Sequence, residues 1–458
     1  MESGRRDYLS WGRVHRYPHQ VAVPGFADGA EGALAAAIGA GQTVLAYGLG
    51  RSYGDSCLNE GQTLIATRGL DRFIAFDPVA GELECEAGVS LGAILELLTS
   101  RREDEPRWFL PVTPGTKYVT LGGAIANDVH GKSHHAQGCF GNHVRSLRLL
   151  RSDGAVRDCS DVENADLFRA TIGGLGLTGL VLSARIALQK VPGFWLDSED
   201  LRYSDLEAFF ALSEESATDW QYTVAWVDCM ARGRALGRGV FTRSRHSAQR
   251  PASVGAPLAS RPRVAMPVDL PGFALNRFSV AAFNSLYWRR CARMPKRHLR
   301  AIDPVFYPLD AIGHWNRLYG RRGFFQYQCA IPTAAMRACI RTLVDRVAAS
   351  GEGSFLAVLK VFGDRPSPGL LSFPLPGATL ALDFANRGGA TLALLDELDC
   401  IVRDAGGRLY PAKDGRMSGA DFRRGYPRWD QLASLADPAF SSSFWRRVTA
   451  DAPMERAA

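Results

Sequence analysis

Four glycine-dense patches crowd into the first 180 residues of this 458-residue chain: "GLGRSYGD" (48–55), "PGTKYVTLGGAIANDVHGK" (114–132), "GCFGNHV" (138–144) and "GGLGLTG" (173–179). A solvated turn needs one or two glycines, so this many imply that main chain comes very close to something else. No G-x-x-x-x-G-K-[ST] occurs, and in "GLGRSYG" the third glycine falls one residue late for G-x-G-x-x-G. A Rossmann site would also use one cluster and one helix. Separate loops sharing the character fit a single long ligand held along them, their successive N–H groups forming concave sites suited to a pyrophosphate. Each patch taken alone also reads as a tight turn.

Short strands alternate with these turns. "TVLAY" reads as a strand, "ELECEAGVSLGAILELLTS" as strand, turn and helix, and "RSLRLLRSDGAVRDCS" as a hairpin folded at Ser152-Asp153-Gly154. Beyond Val191-Pro192-Gly193 the glycine density falls. Ser204 and Glu207 have capping-box spacing, and Pro332 stands at a helix start before apolar residues at helical spacing. "SFLAVLKVFG" and "ATLALDF" read as buried strands, and "TLALLDELDCIVRDAGG" as a helix closed by glycines. The expected fold is α+β, with a first unit over 1–193, a second over 194–405 and a C-terminal segment, 406–458, returning to the first. Residues 243–300 are rich in Arg, Pro and Ala, with Asp269 the only acid. They read either as a long mobile surface loop or as a basic, aromatic-studded segment meeting an anionic membrane or a lipid phosphate.

The formal charge of +7 is too dispersed to argue for nucleic acid, and no nucleic-acid motif occurs. The N-terminus lacks the apolar core of a secretory signal, and no apolar run reaches the roughly 20 residues of a membrane span, so the cytoplasm is the expected location. The 9 cysteines include no C-x-x-C pair and read as mostly buried thiols. No histidine set has metal-ligand spacing, and no metal is expected.

Taken together the patches resemble the PCMH-type FAD-binding domain of vanillyl-alcohol-oxidase-like flavoproteins. Within that superfamily they resemble most closely the decaprenylphosphoryl-ribose oxidases, the flavoprotein half of an epimerase. The likeness extends to "FYPLDAIGHWNRLYG" (306–320), "FFQYQCAIPT" (324–333), "FLAVLKVFG" (355–363), "LSFPLPG" (371–377) and "GGRLYPAKDGR" (406–416), so it covers nearly the whole chain. It implies a two-domain flavoprotein whose antiparallel substrate sheet is covered by helices, with FAD bound noncovalently. Gly48, Leu49, Gly50, Arg51, Ser52 and Tyr53 would wrap the pyrophosphate. Gly115, Thr116, Gly122, Gly123, Asn127, Asp128 and Gly131 would line a second wall, which Gly138, Asn142, His143 and Val144 would continue, and Gly179 to Val181 would close the site. Asp55 would order the first loop.

The resemblance further implies oxidation of the ribose C2 hydroxyl of a polyprenylphosphoryl ribose to a 2-keto sugar. A short-chain-type NAD(P)H-dependent reductase would then complete the epimerisation, and peripheral membrane contact would give access to the lipid. Lys413 would bind the reacting hydroxyl and assist its deprotonation, which requires a depressed pKa; on the residues alone it is also a solvated turn lysine. Lys360 is the only charge in "SFLAVLKVFG", facing flavin or substrate phosphate, or else an edge-strand lysine reaching water. His130 would line the site without anchoring the flavin, and Tyr53 would sit beside flavin or substrate. Gln328, Lys132, Tyr410 and Tyr307 are the expected sugar contacts. One departure is Ala381, which stands where mycobacterial members carry a cysteine. The alternatives are an aldonolactone- or alditol-type oxidase of a soluble sugar, and a non-catalytic flavin-binding scaffold.

Overall fold

The computed structural model describes residues 2–5, 7–101, 105–251, 257–258, 262, 264–293 and 295–450; the parts of the segments 243–300 and 406–458 outside these ranges lie outside the described residues. Its strands form three main sheets. The first has the order Glu2–Arg5, His19–Ala22, Thr63–Ala66, Val44–Tyr47, the last three parallel. The helix Ala27–Gly39 lays Ala30, Leu34 and Ala37 into its core, an i, i+4, i+7 stripe. The second sheet is antiparallel, ordered Phe73–Asp77, Glu82–Glu86, Leu180–Ala187, Val144–Leu150, Val156–Ser160. Its last pair is the hairpin expected from Ser152-Asp153-Gly154, with Gly154 at φ +77°.

The third sheet has eight antiparallel strands, in the order Arg297–Arg300, Trp195–Tyr203, Gly239–Ser247, Tyr222–Val227, Ala357–Phe362, Gly377–Ala385, Phe324–Pro332 and Arg408–Leu409. Side chains alternate between faces along a strand. On one face Tyr327, Cys329, Ile331, Leu359, Leu380 and Leu382 pack under the helices Leu206–Ser216, Met336–Ser350 and Gly389–Asp404. The opposite face carries Gln326, Gln328, Val358, Lys360, Thr379, Ala381 and Asp383. Register sets Gln328 opposite Ala381, Gln326 opposite Asp383, and Thr379 opposite Lys360. Lys360 therefore stands on an interior strand of the sheet, not on an edge.

Three local expectations change. Pro332 ends a strand and the helix begins at Met336, because Phe324–Pro332 pairs with Gly377–Ala385 along its full length. The helix after Tyr203 is capped by Asp205, whose carboxylate accepts from the Ala208 amide, not by Ser204. Within 243–300 the chain is not one long loop: Gly239–Ser247 continues into its start, the helix Arg277–Cys291 occupies its middle and Arg297–Arg300 joins the large sheet.

The C-terminal segment reaches back across the molecule. The Tyr53 amide donates to Ala412 O, the Ser443 amide to Leu58 O, and Arg447 grips Asp55 and Asp414 at 2.7 and 2.9 Å. Asp55 thus fixes the end of the first glycine loop to the helix Ser443–Thr449. Among the described residues no helix is long and apolar enough to cross a membrane.

Candidate active site

One cavity of about 610 Å³ runs between the glycine loops and the open face of the large sheet. Its first wall is the loop following Val44–Tyr47. The amides of Leu49, Gly50, Arg51 and Ser52 have no hydrogen-bond partner among the described residues, and Gly50 is left-handed at φ +61°. Successive unpaired N–H groups in such a loop make an anion-binding concavity. Arg51 lies over the Trp11 ring, 4.1 Å from its centroid. The second wall holds Gly115, around which a Cβ would meet nothing within 4 Å, and the helix Leu121–Ala126, capped by Thr120. Gly48, Tyr53, Thr116, Gly122, Gly123, Asn127, Gly179 and Val181 also line this space. Open room beside bare main chain, with donors lacking partners, suits the elongated anionic cofactor FAD.

Not every glycine serves a ligand. A Cβ on Gly54 would lie 1.5 Å from Asp414 O, so this glycine lets the C-terminal segment approach the loop. The third patch likewise stays behind the wall. Asp128 is fully buried, accepting from the Gly141 amide and from Ser367 and Ser372 hydroxyls. Gly131 presses against Thr113 O. Asn142 accepts from the Cys139 amide beside Gly138, His143 bonds Gln137 O, and Val144 begins a strand. These residues shape the wall from outside the cavity.

At the sheet end, Gln328, Lys360, Tyr410 and Lys413 border the cavity together with His130 and Tyr53. Gln328 Nε2 donates to His130 Nε2 at 3.0 Å, so that nitrogen accepts and the hydrogen sits on Nδ1, which has no partner in the chain. The imidazole is packed against Phe362, Phe373 and Tyr410, with centroids 5.0, 5.4 and 5.3 Å away. Burial, with Lys360, His134 and Lys413 nearby, keeps it well below its usual pKa and neutral. Tyr410 donates to Asn127 O at 3.0 Å, joining the sheet to the second wall.

Lys413 Nζ sits 3.8 Å from the centre of the Tyr53 ring. Burial pushes its ammonium down to about 7 against Asp383, which favours the charge. Lys360 also falls to about 7, through burial first and then repulsion from Lys132 and Lys413. Asp383 is pushed up to about 7 by burial, against the hydrogen bond from Gln326 at 2.6 Å and the charge of Lys413. Asp383 and Gln326 were not singled out in the sequence. A lone acid in "ATLALDF" is the same signal that marks Lys360. Trp11 and Thr379 carried none.

One expected sugar contact is corrected. Tyr307 is fully buried and its hydroxyl meets Thr113 Oγ1 at 2.6 Å, so the phenol is committed inside the core. Lys132, half-buried, donates to Phe306 O at 2.9 Å. Its burial lowers it to about 8, and it acts on Lys360 through charge.

Comparison with known proteins agrees with this geometry. Residues 18–160 match the FAD binding domain family. Decaprenylphosphoryl-beta-D-ribose oxidase of Mycolicibacterium smegmatis is 36% identical over 423 residues, 89% of each chain. The chain belongs to the decaprenylphosphoryl-β-D-ribose oxidase family. It is therefore an FAD-dependent oxidoreductase with a two-domain, PCMH-type α+β fold. An uncharacterized protein in the mprA 5' region of Streptomyces coelicolor is 37% identical over 74% of this chain and 96% of its own. L-gulonolactone oxidase of Mus musculus is 31% identical over only 33% of each chain, so the soluble-sugar alternative fits less well than the family's.

Proposed function

We propose that this protein oxidises the C2 hydroxyl of a polyprenylphosphoryl-β-D-ribose to the 2-keto sugar, using FAD held noncovalently. The observation that carries the reading is the meeting, in one cavity, of unpaired glycine-loop amides and Lys413, an amine brought near neutrality beside Tyr53. The substrate class is supported by the 36% identity to the Mycolicibacterium smegmatis oxidase. FAD supplies the acceptor for the C2 hydride. Neutral Lys413 takes the hydroxyl proton at Nζ as the carbonyl forms, so the C–H pair leaves as hydride and the O–H proton goes to the amine. Lys360 and Gln328, on one face of the sheet with the strand Gly377–Ala385 between them, bind the sugar and its charge, with Tyr410 and Tyr53 closing the pocket. His130 offers Nδ1–H to the bound cofactor. Its Nε2 is engaged by Gln328 and its ring is caged, which supports noncovalent attachment.

In the same reading residues 1–193 form the cofactor unit, 194–405 the substrate unit, and 406–458 the return segment that delivers Lys413. A short-chain-type NAD(P)H-dependent reductase takes the ketone onward, and the protein works in the cytoplasm, touching the membrane peripherally. The test is anaerobic mixing of the flavin-loaded protein with a polyprenylphosphoryl ribose. Bleaching of the flavin by that substrate and not by free ribose is expected. No bleaching rejects the substrate, and bleaching by free sugar favours the soluble-sugar alternative. Acid precipitation that leaves the yellow colour in the pellet rejects noncovalent attachment.

A further inference from the structure

A second cavity, about 730 Å³, opens between the segment 267–272, the turn 317–322 and the end of the strand Gly377–Ala385. Arg317, Arg321, Arg322 and Arg387 line it, and Asp269 is its only acid. That carboxylate is already held by Arg13 in a two-point pair, 2.6 and 3.0 Å. Arg387 is paired with Glu352 at 2.6 Å. Arg317 donates to Met266 O and Pro267 O, and Arg16 to Arg321 O. Arg317, Arg321 and Arg322 form no ion pair among the described residues, though Arg317 lies near enough to Asp269 to act on it through charge. The cavity therefore keeps a net positive charge after its internal pairs are formed. Guanidinium groups present planar, paired donors that match phosphate oxygens.

The rim is apolar. Val268 is 63% exposed and Phe273, following Gly272 of the wall, is 79% exposed. Arg387 donates to Leu275 O, tying the wall to the start of the helix Arg277–Cys291. That helix buries Val280, Asn284 and Cys291 and turns Phe278, Ala282 and Leu286 outward at i, i+4, i+8 spacing. Neither this rim nor the arginine turn is used by the redox cavity.

We propose that this cavity is a second binding site, for a phosphate group. The apolar rim favours a phosphate carried on a lipid over free phosphate. The site stands whatever sugar is oxidised next door.

The experiment uses the full, flavin-loaded chain. Its co-sedimentation is measured with vesicles of phosphatidylcholine alone and with phosphatidic acid added, and its binding of inorganic phosphate by calorimetry. An arginine near an anionic surface contributes roughly fivefold in partitioning, so Arg321→Gln with Arg322→Gln should weaken phosphatidic-acid binding about 25-fold at low salt. Arg145→Gln with Arg148→Gln, on the five-stranded sheet, should bind like wild type. Unchanged flavin content and melting temperature report intact folding, and Arg321→Lys with Arg322→Lys should recover part of the binding. Phosphatidic-acid binding that inorganic phosphate does not displace assigns a lipid source, while calorimetric binding of inorganic phosphate assigns the free anion; either supports the site. No binding of both probes, or equal binding by the glutamine pair and wild type, overturns it.

Discussion

Replacing Lys413 by methionine removes the amine and keeps the reach of the side chain. An ordinary lysine, near 10.4, is neutral in about one molecule in 2,500 at pH 7. With Lys413 brought to about 7, half the molecules carry a free amine there. Burial thus raises the working base on the order of a thousandfold. General-base assistance contributes about 10²–10⁴ in rate, so Lys413→Met should slow single-turnover flavin bleaching by that factor. The wild-type rate should rise with pH through a midpoint near 7, because the proton must leave Nζ before the amine can accept another. The variant should be flat over the same range. Asp383→Asn removes the charge that favours the ammonium, so the midpoint should move to lower pH. Stability gives an independent check. A lysine with a lowered folded-state pKa binds fewer protons folded than unfolded, so its cost is full below about 7 and fades as pH rises toward the unfolded value. Lys413→Met should therefore raise the melting temperature more at about pH 6 than at about pH 9. A variant within about threefold of wild-type rate, or a wild-type rate independent of pH, refutes the role.

Arg447→Ala leaves Asp55 and Asp414 buried without their cation; a loss of about 3–5 kcal/mol is expected in denaturant unfolding. Gly54→Ala sets a Cβ 1.5 Å from Asp414 O and should cost about 1–3 kcal/mol or more, with faster loss of flavin on dialysis as the Lys413 segment is pushed away. Ala381→Cys places a thiol on the cavity wall, opposite Gln328 and Val358. Mass spectrometry should find it alkylated by maleimide at residue 381 itself, and protected by bound substrate.

The sequence made the element types readable wherever a period ran unbroken: the hairpin at Gly154 and the helix Gly389–Asp404 follow from alternation, apolar spacing and closing glycines. What it could not supply was which face of a strand or loop looks into the cavity. Lys132 and His130 are two residues apart in one motif, yet His130 borders the cavity and Lys132 turns to Phe306 O. Tyr307 lies in an equally specific motif and spends its hydroxyl on Thr113. Glycine density reported close approach without naming the approaching party: the unpaired amides of 49–52 leave room for a ligand, whereas Gly54 makes room for Asp414. Lys413 is the extreme case. In its own turn it reads as a solvated lysine, but the long-range grip of Arg447 on Asp55 and Asp414, together with the Tyr53–Ala412 and Tyr410–Gln328 hydrogen bonds, holds its segment where its amine lies over the Tyr53 ring. A base whose proton affinity is set by burial is specified by the contacts that bury it, and here those contacts join residues more than 350 positions apart, the first glycine loop and the C-terminal segment.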